Sequence, residues 1–130
     1  MRVFLNLHLS EWLPWSERTA QPNLPGVYVI AKERPGNVVY IGRTWGAGGL
    51  RDRLAAFHRS ATTGLKGHAG GVTFHRVFGA TTLDLFACVH TTVAINPSEK
   101  ILRPYIEYAE RRLIWEHVEK YGDLPTCNSE

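Results

Sequence analysis

The chain has 130 residues, an apolar fraction of 44% and a formal net charge of +3. That length sets one domain with a modest core, and no apolar run approaches the roughly 18 residues needed to span a bilayer. The opening Met1-Arg2-Val3-Phe4-Leu5 is interrupted by Asn6 and His8 too soon for a secretory leader, so a cytoplasmic, intracellular chain without a membrane segment is expected.

Arg2 to Ser10 alternates, with Val3, Leu5, Leu7 and Leu9 on one face and Phe4, Asn6 and His8 on the other, which predicts a strand. Ser10 to Arg18 holds two tryptophans around Pro14 and allows at most a short helical turn. Thr19 to Pro25 reads as a linker. Gly26 to Ala31 is a second strand, Pro35-Gly36-Asn37 a strong turn signal, and Val38 to Gly42 the returning strand of an antiparallel hairpin. Arg43 to Gly49 is a loop with three glycines, and Leu50 to Ser60 carries the helical stripe Leu50, Leu54 and Phe57. Gly64 to Gly71 is a second flexible loop, and Val72 to Phe78 fits a strand or a short helix equally. Thr82 to Thr92 alternates through Leu83, Leu85, Ala87 and Val89 as a third central strand. Asn96-Pro97-Ser98 ends it. Ser98 can cap a long helix that runs to Tyr121 with Gly122 as its stop, while Pro104 is expected to delay or kink the start. Residues 1–24 form an N-terminal extension whose strand is a candidate sheet edge, and residues 25–130 form the main domain.

Glu110 is the first residue with a chemical reading. At about 100° per residue it shares a helix face with Leu113 and Ile114, extended by His117, Val118 and Tyr121. A carboxylate on that face needs a cation, a strong donor or a proton. A plain salt bridge to Arg53 or Arg103 is the structural alternative. Glu107, one turn earlier, is a rival, and Glu116 and Glu119 fall on the solvated side. Arg53 flanks Leu50 and Phe57; it either snorkels to solvent or aims its planar fork at a phosphate. Arg51 and His58 project elsewhere. Tyr28 and Tyr40 read as half-buried strand aromatics unless a cation lowers their phenol pKa. Asn128 on its own reads as a tail residue. The sequence holds six histidines, and His58, His68 and His75 leave open a zinc reading without tight ligand spacing. Cys88 and Cys127 lack CxxC spacing and are expected as buried free thiols.

Taken in order, Gly26-Val27-Tyr28, Tyr40-Ile41-Gly42, Leu50-Arg51-Asp52-Arg53-Leu54, Glu110-Arg111-Arg112-Leu113-Ile114 and Pro125-Thr126-Cys127-Asn128 resemble the motifs of the GIY-YIG nuclease superfamily. The resemblance covers Pro25 to Asn128, about four fifths of the chain. The Tyr40-to-Arg53 gap is longer than the family pattern, and Phe57 stands where some members carry a polar His or Tyr. The resemblance implies an α+β fold: a small, mainly antiparallel three-stranded central sheet flanked by helices, with the N-terminal strand added. It implies a DNA endonuclease holding one Mg²⁺ (or Mn²⁺) on Glu110. Arg53 would stabilise the phosphate. Tyr28 would position or deprotonate the attacking water, helped by Tyr40, Arg43 or His68, and Asn128 would orient its neighbours. Arg43, Arg51, His58 and Lys66 would contact nucleic acid. A homodimer or a targeting partner chain is left open. The alternative is a binding module that retains the fold without catalysis.

Overall fold

The computed structural model of the chain describes residues 7–91 and 98–128. Four strands, β1 (Leu13–Pro14), β2 (Gly26–Lys32), β3 (Val38–Thr44) and β4 (Leu85–Thr91), form one antiparallel sheet in the spatial order β1-β4-β2-β3. Three helices follow the hairpin and the last strand: α1 (Gly49–Thr63), α2 (Ala69–Phe78) and α3 (Glu99–Tyr121). The fold is α+β, as expected, with three longer strands and a fourth, two-residue strand at the edge of the sheet. Among the described residues no helix is long and apolar enough to cross a membrane.

The fourth strand lies later than the predicted N-terminal one. Residues 2–6 of that prediction fall outside the described residues. Ser10 already touches β4, its N–H donating to Val89 O at 2.8 Å and its Oγ accepting from Val89 N–H at 3.0 Å. Ladder pairing itself is confined to Leu13 with Ala87 and Pro14 with Phe86. Proline has no N–H to give a ladder, so a strand ending on Pro14 stays short and at the edge. A 3₁₀ stretch over Trp15–Ala20 follows. Trp15 is buried and packs edge-on against Phe57, so the second half of the extension belongs to the same core.

β2 is central and buried on both faces, which accounts for its unbroken apolar run. Tyr28 and Ile30 face a core completed by Leu50, Leu54, Phe57 and Phe74 from α1 and α2. Val27 and Val29 face a second core with Ile41, Cys88 and, from α3, Tyr105, Ile106 and Ala109. The two cysteines are buried and unpaired. Cys127 belongs to the first core and Cys88 to the second, and burial pushes both thiols up to about 12.

Val72 to Phe78 is helical despite the preceding glycines. A Cβ on Gly71 would lie 2.7 Å from the Phe57 carbonyl oxygen, so the glycine lets α2 sit directly on α1. α3 starts at Glu99 without delay, five residues before Pro104. Its apolar face ends sooner than expected: His117 and Val118 are half-buried and Tyr121 is exposed, while Tyr121 Oη still reaches the Gly36 carbonyl at the hairpin turn.

Candidate functional site

A cleft of about 360 Å³ opens beside the hairpin, lined by Tyr28 and Tyr40 from β2 and β3, Arg43 and Trp45, Arg53 from α1 and Glu110 from α3. Two glycines make room for the phenols. Gly42 pairs with Tyr28 across the hairpin, and a Cβ there would come within 2.6 Å of both tyrosine side chains. A Cβ on Gly70 would meet the Tyr40 ring at 2.5 Å. Arg53 and Glu110 arrive from opposite faces of the sheet, because α1 packs on the Tyr28 face and α3 on the Val27 face. β3 is the outermost strand on that side, so Glu110 reaches the cleft at the sheet edge.

Tyr28 and His68 form a buried pair. The phenol oxygen lies 2.6 Å from His68 Nε2, and each residue is 1% exposed. His68 is also the N-cap of α2: its Nδ1 accepts from Gly71 N–H at 3.2 Å. Gly71 N–H is fixed as a donor, so the neutral ring carries its proton on Nε2 and donates it to Tyr28. Burial, then the Arg53 charge, drives the His68 pKa down to about 3, and the ring stays neutral. Burial and then Tyr40 raise the Tyr28 phenol, while the charge and hydrogen bonding of Arg53 oppose that rise. Tyr40 is raised by burial and then by the Glu110 carboxylate.

Glu110 is 7% exposed. Sequence reasoning offered Arg53 or Arg103 as its ion-pair partner; the partner is Arg43, whose guanidinium meets Oε1 at 2.5 Å. Arg43 also lies 3.9 Å from Glu107 and 5.0 Å from the Trp45 ring centroid. Arg103 lies over the same ring at 4.5 Å. Among the described residues no group of three His, Cys, Asp or Glu side chains is placed to hold a metal. A lone carboxylate in an open cleft does not suit zinc. It does fit a Mg²⁺-type ion that keeps most of its waters, provided the ion shares or displaces Arg43.

Asn128 is absent from the walls of this cleft but lines the adjoining space that also holds Tyr40, Arg43 and Glu110. Its amide brackets the outer edge of β3, with Nδ2 donating to Ile41 O and Oδ1 accepting from Ile41 N–H, both at 2.8 Å. It fixes the backbone between Tyr40 and Gly42. Three of the expected nucleic-acid contacts fall elsewhere. Arg51 Nε donates to Gln21 O at 3.1 Å and ties the linker to α1. His58 Nδ1 accepts from Trp15 Nε1 at 3.0 Å, and burial followed by the Arg18 charge lowers its pKa. Lys66 lines a separate depression with Val72 and Thr73. The histidines of the zinc reading are likewise dispersed, His75 Nδ1 being 2.9 Å from Ala61 O.

The sequence reading passed over Trp45, Gly70 and Arg111. A tryptophan directly after a strand and before a glycine loop was the available signal for Trp45. Gly70 carried none, because its importance comes from packing against Tyr40, a residue distant in sequence; Arg111 stood inside a quoted motif with nothing to mark which way it faces. No family model, curated protein or solved structure matches the chain.

Proposed function

We propose that this chain is a divalent-metal-dependent endonuclease of the GIY-YIG type, hydrolysing phosphodiester bonds of DNA. The observation that carries the reading is the convergence of two phenols, two guanidiniums and one carboxylate on a single cleft, although they are spread from position 28 to position 110. Glu110 would hold Mg²⁺ or Mn²⁺, which when bound supplies positive charge to the phosphate and to the leaving oxygen. Arg53 would bind the non-bridging oxygens and stabilise the charge they gain in the transition state. Tyr28 would hold the attacking water. Only as a phenolate that has first lost its own proton to solvent would it take the water's proton, against burial, which is the largest influence on this phenol and raises its pKa. The donors on its oxygen, His68 N–H and Arg53, favour the phenolate and so oppose the effect of burial. Tyr40 would position both the water and Tyr28. Arg43 would exchange Glu110 for a substrate phosphate, and Asn128 would keep the Tyr40-to-Gly42 backbone in register.

A plasmid-nicking assay in Mg²⁺ tests this reading. Glu110→Gln should lower the rate by about 10²–10³-fold, the scale of losing one preorganised electrostatic contact. Equal nicking by wild type and variant would assign the activity to another site or another protein. The Arg43–Glu110 ion pair favours a second reading, a nucleic-acid-binding module whose carboxylate is already neutralised. A protein that binds oligonucleotides but nicks nothing in Mg²⁺ or Mn²⁺ would support that reading instead. Running the assay on single-stranded, duplex, branched and RNA substrates identifies the preferred target.

A further inference from the structure

The cleft does not end at Glu110. A second lobe of about 420 Å³ shares Tyr40, Arg43 and Glu110 with it and continues toward the C-terminal tail. Arg53 lines only the first lobe and Arg111 only the second. Neighbours on a helix diverge by about 100°, so Glu110 sits at the junction while Arg111 reaches beyond it. Arg111 is exposed, and among the described residues it has no ion pair, hydrogen bond or ring contact. Its neighbours on α3 are occupied: Glu110 pairs with Arg43, and Arg112 pairs with Glu116 at 3.1 Å. Ile114, one turn on from Arg111 on the same helix, and the exposed Leu124 also line this lobe and give it an apolar wall.

We propose that the second lobe is a subsite for the nucleotide next to the scissile phosphate, with Arg111 binding its phosphodiester and Ile114 and Leu124 packing against its sugar and base. The inference rests on the nuclease reading and narrows it. A guanidinium fork suits a phosphate group, an apolar wall suits the deoxyribose and base that accompany it, and continuity with the Glu110 lobe requires the same strand to occupy both. The substrate is then a strand that runs on past the cleaved bond, so two consecutive phosphates are recognised together.

The test uses the short thymidine oligonucleotides TpT, with one phosphodiester, and TpTpT, with two, titrated by NMR in EDTA against wild type, Arg111→Met and Arg111→Lys. Wild type should bind TpTpT about tenfold tighter than TpT, the scale of one charge-assisted contact. The second phosphate should shift the Ile114 and Leu124 methyl signals. Arg111→Met should bind both ligands alike, and Arg111→Lys should recover part of the gain. Because Arg111 is exposed and unpartnered, the variants should melt with wild type. An equal gain in Arg111→Met, shifts confined to the first lobe, or no shift with either ligand would overturn the subsite. Plasmid nicking alongside any of those results would leave hydrolysis standing. An Arg111-dependent gain in a protein that never nicks would keep the subsite and remove catalysis.

Discussion

The buried His68 makes a quantitative demand on how stability varies with pH. In the native state its pKa is about 3, set by burial and then by the Arg53 charge; in the unfolded chain it returns to about 6.5. Below pH 6.5 the unfolded state therefore binds a proton that the folded state refuses. Stability is full above pH 6.5 and declines as pH falls from 6.5 toward 3. At pH 4.5 the difference spans two pH units, or roughly 2.7 kcal/mol at 1.36 kcal/mol per unit. Urea unfolding of wild type and His68→Gln at pH 7.5 and 4.5 measures it. A glutamine can still donate toward Tyr28 but does not titrate, so any constant cost of the replacement cancels in the comparison. Wild type should lose about 2.7 kcal/mol more than the variant over this interval. Parallel losses would mean that His68 is protonated in the native state, so that Nδ1 could not accept from Gly71 N–H and the neutral ring assigned beside Tyr28 would be wrong.

Gly70→Ala should displace the Tyr40 ring, since the new Cβ would lie 2.5 Å from it. The expected result is a stability loss of about 1–3 kcal/mol together with a nicking rate lowered tenfold or more, read from a thermal melt and the plasmid assay. Asn128→Ala removes both 2.8 Å hydrogen bonds to Ile41. It should lower stability by about 1–3 kcal/mol and speed hydrogen exchange at the Ile41 amide specifically, which NMR resolves residue by residue.

Local signals made the hairpin, α1 and α3 legible. Pro35-Gly36-Asn37 fixes the turn, with Asn37 N–H donating to Arg34 O at 3.0 Å, and the Leu50, Leu54, Phe57 stripe fixes the buried face of α1. The grouping of Tyr28, Tyr40, Arg53 and Glu110 was legible only through the order of their motifs, since periodicity gives a residue's face and says nothing of which distant residue shares it. The misses follow from the same limit. α2 begins Ala69-Gly70-Gly71, a poor helix start by propensity. It forms because those glycines let it pack on α1 and Tyr40, with His68 capping it. The Glu110 partner was sought on the helices and lies on a strand, because α3 crosses the sheet at its edge. Arg51 and His58 lie near the cleft in sequence, yet they turn toward Gln21 and Trp15.

The tail's hold on β3 bears on how the protein can meet others. Cys127 N–H donates to Val39 O at 2.7 Å, and Asn128 occupies both backbone groups of Ile41, so this margin of the sheet already has its hydrogen-bonding company. On the far margin, Ser10 and Leu13–Pro14 screen β4. Among the described residues, neither flank offers the long row of idle amides and carbonyls by which one sheet recruits a strand from another. If a second copy or a targeting chain docks here, it will meet helical surfaces and side chains, and its recognition will be written in shape and charge.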